Sequence, residues 1–303
     1  MQWRRLAVTA IGSLALAITT MGCSDETESD ETQSNDSKLT VAAAFYPIEE
    51  LLLRVGGSNI AVSRFVAPGE EAHEFEPTAQ QVAALERADV VFYLGSGFQP
   101  SLESAIMELP DSVRRVDLMI GLTVLTGDDG IDPHVWLDPR NMQMMAQTVA
   151  EILSEEASAQ AAAFTAAAQA FVEELDALSS EFEVGLQNCA VPVVVSTHRA
   201  FAYLAEAYGL THRAIAGASP GDEPSAKSLE EVAQFAADNG VTTIFFEPEL
   251  RELAETVADE IDAATALLAT GESLTSSQLN AGDSYSSVMR DNLEALRLGM
   301  NCT

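Results

Sequence analysis

VPVVVSTHRAFAYL, residues 191–204, is the stretch that decides the fold of this chain. Val191 to Ser196 is apolar and β-branched almost throughout, the pattern of a strand covered on both faces. The polar turn Thr197-His198-Arg199 follows, and a helix is expected to open near Ala200. Strand, turn and helix form the repeating unit of an open parallel α/β sheet. Such sheets bind ligands beyond the carboxyl ends of their strands, and His198 stands at that edge.

The same theme recurs on both sides. Strand-like runs KLTVAAAF (38–45), NIAVSRFV (59–66), ADVVFYLG (88–95) and VRRVDL (113–118) alternate with helical segments such as 78–87 and 101–108. After 191–196 come THRAIAG (211–217), VTTIFFE (241–247) and ATALLA (264–269). This alternation predicts an α/β protein whose sheets are mostly parallel and covered by helices. Between the halves, about 157–187 is rich in alanine and glutamate, both good helix formers. Phe164, Phe171 and Leu175 give it an apolar stripe, as expected of a helix connecting the halves. The expected division is a leader at 1–22, a tether at 23–37, a first lobe at 38–156, a connecting helix at 157–188 and a second lobe at 189–303.

The chain has four histidines, and three sit in local motifs far apart in sequence. His73 lies in AHEFEPT, after the 59–66 strand and the Pro68-Gly69 turn. His134 lies in DPHVWLDP, between Pro133 and Pro139, with Asn141 the expected cap of the next helix. His198 completes the set. A single histidine is more often structural than functional. Three of them on loops at strand ends point to a transition metal, zinc above all, held between parts of the fold. His212, inside THRAIAG, reads as a structural histidine on the far side of a helix from His198.

The ends of the chain carry a different message. Arg4 and Arg5 precede an apolar run over 6–20 that is too short to span a membrane comfortably, the pattern of a secretion signal. Met21-Gly22-Cys23 resembles a bacterial lipoprotein cleavage site, with Cys23 as the lipidated residue; the alternative is an ordinary signal peptide. SDETESDETQSNDS (24–37) has no apolar residue and reads as a disordered tether. Of the three cysteines, Cys189 and Cys302 remain. Outside the cytoplasm that even pair reads as a disulfide, against two unlinked buried thiols.

The formal charge is −32 at pH 7, and Lys38 and Lys227 are the only lysines. Such a field repels nucleic acid and anionic headgroups and leaves neither as an expected partner. It concentrates cations near the surface; adaptation of the surface to a salty habitat is the alternative reading of the charge and is expected to be its larger cause.

Six ordered motifs carry a family resemblance: PGEEAHEFEPT (68–78), DPHVWLDP (132–139), STHRAFAYLAEAYGL (196–210), DEPSAKSLEEV (222–232), IFFEPEL (244–250) and DSYSSVMRDNLEAL (283–296). Together they resemble the zinc/manganese class of metal-binding ABC-transporter solute-binding lipoproteins, from Lys38 to the C-terminus. The resemblance implies two α/β lobes joined by one long rigid helix, with metal in the cleft between them. It implies a monomer tethered outside the cytoplasm that delivers metal to an ABC permease and its ATPase. His73 and His134 would come from the first lobe and His198 from the second. Ala72 departs from the family, which usually has proline there, and is expected to loosen that loop.

The third position informs the choice of metal. Manganese-type relatives usually carry a carboxylate there, whereas His198 favours Zn²⁺ over manganese or iron. Zinc-type relatives often have a histidine-rich loop before the second ligand; here LTGDDGID (125–132) is acidic instead. The fourth donor is sought among Glu247, Glu272 and Asp283. Some zinc-type relatives use a glutamate in Glu-Ser-Leu, and Glu272-Ser273-Leu274 matches that pattern. Glu76, Asp138 and Glu247 are expected to steady the ligands or substitute for them, and Asp283 to cap the final helix. A zinc hydrolase is the rival reading, but no H-E-x-x-H is present and only Glu74 and Glu76 stand beside a ligand. No catalysis is expected, and nothing encodes a matrix partner for an adhesin.

Overall fold

The computed structural model describes residues 38–127 and 130–303. The expected leader, the lipidation candidate Cys23 and the expected acidic tether lie outside the described residues.

The first lobe runs β1 (Leu39–Ala43), α1 (Tyr46–Gly56), β2 (Ile60–Arg64), α2 (Ala79–Leu85), β3 (Val90–Tyr93), α3 (Pro100–Met107) and β4 (Arg114–Asp117). Its sheet is entirely parallel, in the order β2-β1-β3-β4. A two-stranded hairpin follows, β5 (Thr126–Gly127) with β6 (Gly130–Ile131), and then two long helices, α4 (Pro139–Glu156) and α5 (Ala161–Gly185). The second lobe runs β7 (Val193–Ser196), α6 (Ala202–Ala207), β8 (Thr211–Ala214), α7 (Ala226–Asp238), β9 (Thr243–Phe246), α8 (Arg251–Ile261) and β10 (Ala264–Leu267). Its sheet is also parallel, in the order β8-β7-β9-β10. α9 (Ser276–Ala281) and α10 (Tyr285–Gly299) close the chain.

The two sheets share one winding. In each, the chain steps outward from the first strand to an edge, then crosses back to build the other side. The winding reverses between β1 and β3 and again between β7 and β9. A crevice opens beyond the strand ends at each reversal. His198 follows β7 and Glu247 follows β9, so both sit at the reversal of the second sheet.

α5 shows why the segment between the lobes is helical and rigid. Phe164, Ala168, Phe171, Leu175, Leu178 and Phe182 are buried and alternate at spacings of four and three, a continuous seam on one face. That seam packs on α4, α1 and α10. One apolar core therefore runs from the first sheet through α4 and α5 to Tyr285, Met289 and Leu296 of α10. Each fully buried phenylalanine contributes roughly 1.5–3 kcal/mol relative to exposure. An ion pair between Arg54 of α1 and Glu174 of α5, extended by the Ser286 hydroxyl donating to Glu174 at 2.6 Å, ties α1, α5 and α10. A second, smaller core lies between the second sheet and α7 and α8.

The expected disulfide is present: Cys189 is joined to Cys302 across 113 residues. The backbone supports it, with Thr303 N donating to Asn188 O at 3.1 Å. The C-terminus is thereby pinned to the segment that leads into β7.

Several local expectations need correction. The helix after His134 begins at Pro139, and its cap is Asp138, which accepts from Arg140 N at 2.9 Å; Asn141 is already inside. Proline fits the first helical position because its missing N–H would have no partner there. The helix after His198 begins at Ala202 and not near Ala200, because residues 197–201 form a turn. The connecting helix is shorter than expected, because a single 3₁₀ turn at Ser158–Gln160 precedes it. Asp283 does not cap α10: Ser284 does, in a reciprocal box with Ser287. His212 is not behind a helix. It lies on β8, directly paired with β7, and its Nε2 is 2.7 Å from Ser196 Oγ.

Candidate metal centre

The loop after β2 is folded by its own acids. Glu71 accepts from His73 N at 2.8 Å and from Glu74 N at 2.7 Å. Gln99 Nε2 donates to Ala72 O at 3.1 Å, and Thr78 caps α2. Ala72 is fully buried in this loop. The His73 ring rests edge-on against Phe98, with centroids 4.7 Å apart.

His134 is fully buried, its ring 5.3 Å from that of Trp136. Asp132 Oδ1 lies 2.8 Å from its Nδ1 and 3.0 Å from its backbone N. His198 is buried to the same degree and held in the same way: Glu247 Oε1 lies 2.6 Å from its Nδ1 and also accepts from Thr197 Oγ1 at 3.1 Å. A carboxylate at Nδ1 makes that nitrogen the donor of a neutral ring. Both Nε2 atoms then present lone pairs inward.

Those lone pairs converge. His134 Nε2 is 3.3 Å from His73 Nε2 and 3.4 Å from His198 Nε2. Glu272 Oε1 stands 3.4 Å from His73 Nε2 and 3.6 Å from His134 Nε2. Donor atoms of all four residues lie within 4.8 Å of one another. Glu272 Oε1 is buried and accepts no hydrogen bond. The positive φ of Gly271, 67°, turns the chain so that Glu272 enters the cleft. A tetrahedron around zinc with bonds of about 2.0–2.2 Å has edges of roughly 3.3–3.6 Å. Four of the six donor-to-donor spacings fall in that range, and the other two, from His198 to His73 and to Glu272, lie within 4.8 Å.

The electrostatics fit the same picture. Burial alone would push Glu272 up, but His73, followed by His134 and His198, holds it down to about 2. Burial works against a charged His73, yet the Glu272 carboxylate, helped by Glu71 and Glu247, raises it above the usual histidine range. His134 is lowered, because burial outweighs Asp132. Glu247 is raised by burial, which outweighs its bond to His198. The centre therefore keeps one carboxylate charged in a buried space and attracts positive charge.

Of the residues singled out in the sequence, His73, His134, His198 and Glu272 come together. Glu247 instead sits behind the His198 ring, on the Nδ1 side. Glu76 is exposed and Asp138 is engaged with Arg140 at 3.0 Å, so neither faces the converging atoms. Asp132 was not anticipated, although an aspartate two residues before a histidine was the available signal. The acidic stretch 125–132 contains the β5–β6 hairpin, and Tyr203 pins its base: the hydroxyl accepts from Leu125 N at 2.9 Å and donates to Asp132 O at 2.8 Å.

Comparison with known proteins agrees with this geometry. Residues 41–299 match the family model described as zinc-uptake complex component A, periplasmic. The zinc-binding lipoprotein AdcA of Streptococcus pneumoniae is 31% identical over 298 residues, which cover 93% of this chain and 58% of the relative. The chain thus spans little more than half of that protein. The high-affinity zinc uptake system protein ZnuA of Bacillus subtilis is 28% identical over 313 residues, covering 98% of this chain and 97% of the relative. Among solved structures, the Zn(II)-bound ZnuA-like domain of Streptococcus pneumoniae AdcA superposes with a TM-score of 0.77 at 33% identity, covering 87% of this chain and 99% of that domain. On the extent of these matches, this chain belongs to the family of the periplasmic zinc-uptake complex component A.

Proposed function

We propose that this protein captures Zn²⁺ outside the cytoplasm and delivers it to an ABC permease and its ATPase. The observation that carries this reading is the convergence of three imidazole nitrogens and one carboxylate oxygen within 4.8 Å of one another. His73, His134, His198 and Glu272 are the proposed ligands. Three imidazoles and a single carboxylate suit zinc better than manganese or iron. The names of the relatives, zinc-binding and zinc-uptake proteins, support the same cargo.

The chemistry is capture and release. Asp132 and Glu247 fix the tautomers of two ligands before the metal arrives, so little reorganisation remains when it binds. A catalytic zinc keeps one position for water, whereas here Glu272 stands at the fourth corner; this favours transport over hydrolysis. We further propose anchorage through a lipid on Cys23, action as a monomer, and a division into lobes at 38–156 and 189–303 about a connecting segment at 157–188. Among the described residues no helix is long and apolar enough to cross a membrane.

Native mass spectrometry and chelator competition test the reading. One zinc per chain is expected, with preference over Mn²⁺. His198→Ala should weaken zinc at least about tenfold, or about 1.4 kcal/mol. Glu272→Gln should weaken it more than Glu247→Gln. Equal preference for Mn²⁺, or a large loss confined to Glu247→Gln, overturns the assignment.

A further inference from the structure

Glu272 belongs to the second half of the chain, yet its loop is fastened to the first. Trp136 Nε1 donates to Thr270 O at 2.8 Å, reaching from two residues after His134 to two residues before Glu272. Gly69 N donates to Ser273 Oγ at 2.8 Å, and that hydroxyl donates to Ala67 O at 3.2 Å, joining the next residue to the loop that carries His73. Leu274 is buried with Tyr46 of α1. On its own side the loop's start is held by Asn292 of α10, which pairs with both backbone groups of Ala269 at 2.8 and 2.7 Å, and its end by apolar packing of Leu274 with Val288 of the same helix. The second sheet supplies no hydrogen bond to residues 270–274 among the described contacts.

Trp136 is well placed to act as the fastening. Its ring is buried against Phe45 and Phe98 and lies 5.3 Å from the His134 ring. Its own carbonyl accepts from the Tyr285 hydroxyl at 2.7 Å. Indole position and loop position are therefore fixed together. Glu272 Oε1 accepts no hydrogen bond, so apart from its charge interaction with His73 at 3.4 Å the loop backbone sets where the carboxylate points.

We propose that Trp136, assisted by Ser273, is a positioning residue for metal retention, holding Glu272 against His73 and His134 so that these three donors move as one body. The proposal rests on the reading of these residues as a metal site. Its consequence is kinetic. Losing the fastening lets the carboxylate swing away and opens a route for zinc to leave without separating the lobes.

The test is release of Zn²⁺ from the full chain into excess chelator by stopped flow, with Trp136→Phe and Ser273→Ala. Trp136→Phe keeps an aromatic ring and removes the N–H; Ser273→Ala carries the test if that buried change folds poorly. Each should speed release about tenfold while changing association less than about twofold. The visible bands of bound Co²⁺ should shift toward those of Glu272→Gln. In a Glu272→Gln background neither change should add to the release rate, because the group they position is gone. Ser225→Ala, which removes the cap of α7, gives the baseline for a hydrogen bond lost elsewhere in the second lobe. Unchanged release in both variants, faster release with unaltered Co²⁺ bands, or full additivity with Glu272→Gln each overturns the proposal. If Glu272→Gln itself leaves release unchanged, the metal-site reading of Glu272 falls first and the fastening role falls with it.

Discussion

His134 and Asp132 are joined twice through one oxygen: Asp132 Oδ1 lies 2.8 Å from the ring Nδ1 and 3.0 Å from the backbone N. The carboxylate sets ring tautomer and ring direction at once. Asp132→Ala should therefore weaken zinc by about 10–100-fold while leaving four donors in place. Chelator competition measures this; an affinity within twofold of the unaltered protein would refute the orienting role.

Zinc affinity should fall with pH, and the direction follows from His73. Its protonated form is favoured by Glu272, so it gains a proton above the usual histidine range. That proton must leave before zinc binds. Below this raised pKa the apparent dissociation constant should rise about tenfold per pH unit, since one proton is displaced. His134 is lowered and Glu272 is held to about 2, so neither adds to the slope near neutrality. Competition titrations across the acidic and neutral range check it, and a flat profile would exclude histidine ligation.

The metal-free protein should lose stability on acidification partly through His212. Burial holds this ring down to about 4, against 6.5 in the unfolded chain. Above 6.5 both states are neutral and the group is silent. Between 6.5 and 4 the unfolded state takes the proton first, so stability drops as pH falls, by at most about 3 kcal/mol. His212→Gln should flatten this part of the profile in denaturant titrations of metal-free protein at several pH values. An undiminished drop in the variant would assign the effect to other groups.

Reducing the Cys189–Cys302 disulfide should lower the denaturant midpoint. The closed loop spans 113 residues, for which the chain-entropy account gives about 4–5 kcal/mol as an upper figure. Urea unfolding with and without reductant, beside a Cys189→Ser/Cys302→Ser variant, measures it. Two alkylatable thiols in the non-reduced protein would show that the pair is not closed.

The strands were legible in the sequence because parallel strands are covered on both faces. Their β-branched runs, such as VPVVVS and VTTIFFE, need no partner to be recognised. The three histidines were legible because each lies on a loop at a strand end. Glu272 was reached only through its resemblance to Glu-Ser-Leu in relatives, since nothing local marks a carboxylate that faces a cleft. Helix starts were misplaced wherever two capping residues lie close together, as Asp138 with Asn141 and Asp283 with Ser284. In both cases either side chain could accept the first amide, and only tertiary direction selects one. His212 was misplaced because a four-residue strand with alternating burial carries too little pattern to orient it. The β5–β6 hairpin is two residues per strand, below any periodicity, and it is positioned by Tyr203 from the other half of the chain.

The ring that fastens the Glu272 loop also makes the protein its own optical reporter. The chain has two tryptophans, and the other, Trp3, lies outside the described residues, so Trp136 is the single indole within residues 38–303. Its ring lies 5.3 Å from that of His134, and its N–H is committed to the backbone beside Glu272. Any charge arriving between the histidines changes the field across that one chromophore, with no second indole to dilute the signal. Intrinsic emission from residues 38–303 is thus expected to report occupancy of the proposed centre, without a dye and without a competing metal indicator.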